Sequence, residues 1–126
     1  MEISITVSED QKYIIITGKG EITLGGPKAL IQPLIEANEL AKKLAIRNIL
    51  VDVTEARNTL GIIDNYDMVN YTIAQEPAID RYMRVALLVS PDDHSHDFTE
   101  TISRNAGFNV TLYRDRTQAL ASLLND

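Results

Sequence analysis

Two solid apolar runs constrain the fold of this chain more than any other feature. They are Ile49-Leu50-Val51-Asp52-Val53 and Val85-Ala86-Leu87-Leu88-Val89. A strand with one wet face alternates apolar and polar residues, whereas a strand covered on both faces does not. Each run follows a segment with helical spacing. That order makes them parallel neighbours at the centre of a sheet, with helices packed on its faces.

The remaining elements arrange themselves around this pair. Ile3, Ile5 and Val7 alternate with Ser4 and Thr6, the pattern of a half-buried strand. The polar turn Ser8-Glu9-Asp10-Gln11 leads into a second β-rich run, Tyr13 to Thr17, predicting a hairpin that Gly18 and Gly20 end. Gly25-Gly26-Pro27 reads as a helix start, and Leu30, Leu34, Ala37, Ala41 and Leu44 then recur at helical spacing. Pro33 lies inside that pattern and predicts a kink or a division. A second helical stretch covers about 63–75, with Met68, Val69 and Ile73 toward the core. A third carries Phe98, Ile102 and Ala106 as its apolar stripe, and Gly107 stands in the place of its C-terminal cap. Phe108, Val110 and Leu112 alternate as an edge strand. Asp115 and Gln118 have capping-box spacing before a last helix. The chain therefore reads as one α/β domain, 1–126, in the order β-β-α-β-α-β-α-β-α. Its five-stranded mixed sheet has the first strand antiparallel to the second and the rest parallel. Right-handed crossovers keep the strands in near-sequential order.

Composition narrows the function classes. Apolar residues at 44% are enough for one core. The formal net charge of −6 repels phosphate backbones and anionic lipid, so no nucleic-acid partner is expected. No apolar stretch approaches the roughly 20 residues of a membrane span, so no membrane insertion is expected either. There is no cysteine, which removes disulfides, thiolate catalysis and Cys-type zinc sites together. The N-terminus lacks the basic start and apolar run of a secretory signal, and the expected location is the cytoplasm.

In open α/β sheets, ligands favour the rim beyond the carboxyl ends of the parallel strands. Here that rim would hold Thr54, Glu55, Arg57, Asn58 and Thr59 after the third strand. Ser90, Asp92, Asp93 and His94 would come after the fourth, and Arg114 after the fifth. The segment Asp92-Asp93-His94-Ser95-His96-Asp97 is the densest cluster. His94 and His96 with a carboxylate suit a divalent metal. Metallo-hydrolases, however, use H-x-H-x-D-H, and Phe98 and Thr99 stand where Asp and His are required. The expectation is no metal and no cofactor, with Asp93 or Ser95 capping the third helix. There is no G-x-S-x-G elbow and no phosphate-loop spacing, so no catalytic residue is assigned. A rival reading remains: an enzyme of unknown reaction, metal-dependent or not, using the Asp92–His96 segment with Glu55. Arg81 and Arg84 flank the fourth strand, where a stalk packed on Tyr82 with a solvated head is expected.

Ile49-Leu50-Val51-Asp52-Val53 followed by Asn58-Thr59-Leu60-Gly61-Ile62 resembles the STAS domain of bacterial anti-sigma-factor antagonists and sulfate-transporter tails. Arg84 to Val89, Gly107-Phe108, Tyr113-Arg114-Asp115 and Ala119-Leu120 are similar to its uncharacterised SpoIIAA-like branch, also called STAS/Sec14-like. The resemblance implies a SpoIIAA-like/STAS-like fold and a non-enzymatic regulatory or interaction module. Its partner, a protein or a small molecule, would bind at the rim. In the antagonists a D-S-[ST]-G-L segment carries the hydroxyl that a partner kinase phosphorylates. Thr59 is the hydroxyl that matches, while Asn58 replaces the motif's Asp and Leu60 one of its hydroxyl residues. Thr59 is thus expected exposed or half-exposed near the start of the second helix, as part of a binding rim, without obligatory phosphorylation. The Sec14 likeness adds a third reading, a carrier of a small apolar ligand, which requires an internal cavity. Edge strands of short, weakly charged sequence further suggest a homodimer.

Overall fold

The computed structural model describes residues 1–22 and 27–124, without the side chains of 27–30. The expected helix-start glycines, Gly25 and Gly26, and the Leu30 side chain lie outside the described residues. The elements run β1 (Glu2–Val7), β2 (Ile14–Ile22), α1 (Pro27–Lys43), β3 (Asn48–Asn58) and α2 (Ile62–Asp67). A π-helical turn, Met68–Ile73, continues α2. Then come β4 (Arg84–Leu88), α3 (Asp97–Asn105), β5 (Asn109–Tyr113) and α4 (Arg116–Leu124). The sheet order is β1-β2-β3-β4-β5. β1 is antiparallel to β2, and every other pairing is parallel. This is the order and direction that the two apolar runs imply. Among the described residues no helix is long and apolar enough to cross a membrane.

β3 is covered on both faces because its successive side chains enter different cores. Ile49 joins Ile14, Ile16, Ala37, Ala41, Ile46 and Met83 on the face packed by α1. Leu50 joins Ala86, Leu88, Ala119 and Leu123 under α4. A third cluster, Val53, Ala56, Leu87 and Val89, fills the sheet toward its carboxyl end. Both residues of the Ile49-Leu50 pair are buried, which explains the lack of alternation.

Four local expectations need correction. Gly18 and Gly20 do not end β2, which continues to Ile22. β3 likewise runs to Asn58, so Thr54, Glu55 and Arg57 are strand residues rather than loop residues. The two extensions hold each other as a ladder, with Lys19 opposite Glu55 and Glu21 opposite Arg57. Of the kink or division expected at Pro33, the division does not occur: α1 is one continuous helix, since a helix survives the loss of one donor when its apolar face is well packed. Phe98 is half exposed and Ala106 lies just past the end of α3, which leaves Ile102 as the buried apolar residue of the stripe.

The β2–β3 ladder contains a bulge. Thr17 pairs with Asp52 but Lys19 pairs with Glu55, so β3 carries an extra residue there. Asp52, the one polar member of its apolar run, closes the bulge. Its Oδ1 accepts from the Thr54 backbone N–H at 3.0 Å and the Thr54 hydroxyl at 2.7 Å. Its Oδ2 accepts from the Arg116 guanidinium on α4. Gly20 lies just beyond at φ +109°, with the Met1 backbone 3.4 Å from where a Cβ would stand. That conformation favours glycine. At the far end of the sheet Gly107, at φ +95°, donates to the Arg104 carbonyl and closes α3 as the sequence predicts.

The doubly covered strand gives a direct test. Leu50→Ala is expected to cost about 3 kcal/mol in urea unfolding, the usual range for a buried leucine. Ile3→Ala, on the half-buried edge strand, is expected to cost about 1 kcal/mol or less. Equal losses would mean that β3 is not the centre of the core.

Candidate functional site

The carboxyl end of β3 is fixed by a chain of side-chain amides. Asn58 is buried. Its Oδ1 accepts from the Leu60 backbone N–H at 3.0 Å, and its Nδ2 donates to Asn65 Oδ1 at 2.6 Å and to the Thr99 hydroxyl at 3.2 Å. Its backbone N–H donates to Ser95 Oγ at 3.0 Å. Asn65, also buried, donates to the carbonyls of Leu60 and Gly61 at 3.2 and 2.9 Å. Two carbonyls can only accept, so Asn65 must turn its Nδ2 toward them and its Oδ1 toward Asn58. Asn58 must then be a donor. This joins β3, the turn into α2, and α3. Asn58 is therefore corrected from an exposed rim residue to an interior one.

Thr59 lies exposed just before α2, as expected. Its hydroxyl donates to the Ile22 carbonyl at 2.6 Å, and its backbone N–H donates to the same oxygen at 3.0 Å. Neither Asn58 nor Thr59 caps α2; Gly61 holds the N-cap position without a side-chain cap bond.

The segment after β4 is held from inside. Arg114 Nη1 donates to the carbonyls of Ser90 at 3.2 Å and Asp93 at 2.7 Å, and Nη2 donates to Asp97 Oδ1 at 2.8 Å. His94 Nδ1 lies 3.0 Å from Asp97 Oδ2 and 3.1 Å from Arg114 Nη2. His96 points the other way. It is 2% exposed, and its Nε2 lies 2.9 Å from the Ala56 carbonyl and 3.5 Å from Asp93 Oδ2. A carbonyl only accepts, so Nε2 carries the proton. Among the described residues no three of His, Asp and Glu gather where they could hold one metal ion. The cap of α3 is also corrected: His96 holds the N-cap position with no side-chain cap bond. Asp93 instead accepts from the Ser95 N–H at 2.8 Å, and the Ser95 hydroxyl faces Asn58. Burial opposes ionisation of Asp93. The hydrogen bonds from Ser95 outweigh it, with His96 and Arg57 nearby, and hold the carboxyl below its ordinary value. Arg81 differs from expectation too. Its guanidinium lies over the Phe108 ring at 4.7 Å and donates to the Ala74 and Ala106 carbonyls, while Tyr82 stands exposed.

Thr54, Glu55, Arg57, Ser90, Asp92 and Asp93 surround one shallow open depression. Glu55 pairs there with Lys19 at 3.4 Å. Asn58, Thr59, His94 and Arg114 do not line it. Sequence reasoning missed the other surface at this end. Ile62, Ile63, Tyr66 and Tyr71 are exposed on α2 and its π-helical continuation, at 58, 75, 49 and 69%. Tyr66 and Tyr71 meet edge to face with centroids 6.2 Å apart. The signal was present: Met68 and Val69 already fill the buried side of this helix. Ile62, Ile63 and Tyr66 are apolar or aromatic residues left over for the wet side.

No family model matches the chain, and no curated protein matches it. Solved structures do. An anti-sigma factor antagonist from Mycobacterium paratuberculosis superposes with a TM-score of 0.59 at 14% identity, covering 97% of this chain and 94% of its own. An uncharacterised protein of the DUF3478 family from Shewanella loihica, described as having a SpoIIAA-like fold, gives 0.53 at 17% identity, over 97% and 92%. The unphosphorylated anti-sigma factor antagonist SpoIIAA gives 0.52 at 12% identity, over 97% and 96%. The fold is SpoIIAA-like. Within this SpoIIAA-like chain, the amide network gives a reason for asparagine at 58. An aspartate would set a carboxylate against Asn65 Oδ1, an acceptor facing an acceptor.

Asn58→Asp is therefore expected to cost about 1–3 kcal/mol at pH 7, the penalty of a buried group left unpaired. A protonated carboxyl can donate, so the folded pKa of this aspartate should rise above its unfolded value of about 3.9. The variant should come nearest to wild type below that value and lose stability as pH rises through the folded pKa. Urea midpoints between pH 3 and 8 measure this. A variant equal to wild type at pH 7 would contradict the donor role of Asn58.

Proposed function

We propose that this chain is a non-enzymatic regulatory module that docks a protein partner on the exposed face of α2 and the adjoining rim at Thr59. The observation that carries the reading is the cluster of Ile62, Ile63, Tyr66 and Tyr71, four large exposed side chains in one short helical segment. Contiguous apolar surface rimmed by polar groups is the usual mark of a protein-binding site. Aromatic residues are enriched at the centre of such sites. The amide network behind the helix supports the reading, since a face held rigid loses little entropy on docking. The fold likeness to two anti-sigma factor antagonists points to the same class of activity.

The charged residues of the rim have a subordinate part in this proposal. Glu55, Arg57 and Asp92 are exposed at the same end of the sheet and would steer the partner by charge. Thr54, Ser90, Asp93, His94 and Arg114 would set the shape of the rim. Thr59 would contact the partner through its exposed methyl side, with no phosphate required. A location in the cytoplasm is part of this proposal, as is a chain that acts as one domain. A second copy of this chain is the alternative occupant of the surface.

Binding of purified anti-sigma-type kinases from the native host, followed by hydrogen exchange, tests the reading. Protection is expected across residues 59–71. Ile63→Glu is expected to weaken the complex at least tenfold without changing the unfolding midpoint, because Ile63 is three-quarters exposed. Protection centred on the Glu55–Asp92 depression, binding indifferent to Ile63→Glu, or no complex with any of these kinases would contradict the proposal. Self-association lost in the same variant would make the second copy the occupant.

A further inference from the structure

A cavity of about 190 Å³ lies between the sheet and the helices on the α1 side. Its walls include Val51 of β3, Val85 and Leu87 of β4, Met68 and Ile73 of the π-helical turn, and Ser103 of α3. Protein interiors are packed as densely as organic crystals, and a void of this size is uncommon in a small core. An apolar cavity of about 150 Å³ is large enough to stay dry and to take up benzene. This one is larger and almost wholly apolar. The exposed residues Met1 and Asp80 also line it, so it reaches the surface.

The hydroxyl of Ser103 breaks the apolar lining. Ser103 is 8% exposed, and it lines the cavity on the α3 side. The other buried polar side chains there are committed. Asn58 donates to Asn65, His96 faces the Ala56 carbonyl, and Asn38 bonds the Leu34 carbonyl and the Asp80 N–H. Among the described residues no fully buried side-chain nitrogen or oxygen lacks a partner, so the Ser103 hydroxyl is not sealed in the core, and a ligand atom in the cavity can bond it. The π-helical turn adds to the case, since such turns are frequent at functional sites.

We infer that this cavity is a binding site for a small, mainly apolar molecule with a single hydrogen-bonding group, which meets the Ser103 hydroxyl. The size admits a substituted ring or a short alkyl chain and excludes a drug-sized ligand, whose pockets begin near 300 Å³. The site is separate from the outer face of α2 and does not depend on the docking proposal.

The probes are para-cresol and toluene, which share a ring and methyl group and differ by one hydroxyl. Each is titrated into methyl-labelled protein and monitored by NMR. Both should shift the methyl signals of Val51, Val85 and Ile73, with para-cresol binding more tightly. Ser103→Ala should remove that preference, weakening para-cresol about fivefold, the ordinary worth of one hydrogen bond, while leaving toluene unchanged. Val51→Phe should fill the space and abolish both. Should Val51→Phe fail to fold, Val51→Leu should weaken both probes, and xenon should shift the same methyls of the wild-type protein. Silent methyl signals with both probes and xenon would overturn the inference. So would shifts confined to Ile62 and Ile63 on the surface. A preference for para-cresol that survives Ser103→Ala would overturn the assignment of the polar contact.

Discussion

The side-chain amide of Asn58 is the joint on which the surface at the carboxyl end of the sheet depends. It is anchored in β3, yet its bonds go to Leu60, Asn65 and Thr99, in the adjoining turn, in α2 and in α3. A buried amide has strict requirements, because each unpaired donor or acceptor costs as much as several good contacts return. Here the carbonyls of Leu60 and Gly61 fix Asn65, and Asn65 fixes Asn58. The outcome is a single arrangement of the β3–α2 turn. That arrangement turns Met68 and Val69 inward and leaves Ile62, Ile63 and Tyr66 outside.

Asp52 has the matching role earlier in the same strand. It is the polar residue in an apolar run, and its carboxylate is engaged by Thr54 and Arg116. The bulge it closes shifts the register by one, which decides which side chains of the extended β3 face in. After the bulge Ala56 and Asn58 are buried, while Glu55 and Arg57 are exposed. Without the extra residue that alternation would reverse, with charge driven inward. Asp52 and Asn58 thus act in series: the first sets the buried face of the strand, and the second fixes the turn into α2.

The sheet was legible in the sequence because its signals are redundant. Two unbroken apolar runs, an alternating N-terminal strand and four helical spacings all require the same order. Strand ends were not legible. Gly18 and Gly20 are ordinary turn residues in isolation, and only the partner strand shows that they sit inside a ladder. The same limit applies to Thr54, Glu55 and Arg57, which read as loop because polar residues after an apolar run usually are. Asn58 was misplaced, and the burial of His96 not foreseen, for a related reason. A polar side chain goes inside only when its partners are waiting, and Asn65, Thr99 and the Ala56 carbonyl come from distant parts of the chain. Ser103 and the space beside it depend on how three helices meet the sheet, which no local pattern encodes.

The most direct test of this joint is native-state hydrogen exchange at the side-chain amides. If the network is closed in solution, the Nδ2 protons of Asn58 and Asn65 and the backbone N–H of Leu60 should exchange only when the whole molecule unfolds. They should then be slower by orders of magnitude than the side-chain amide of exposed Asn109, and share one dependence on urea. Exchange of Asn58 and Asn65 as fast as that of Asn109 would mean that the network is open in solution, and the fixed surface built on it would not exist.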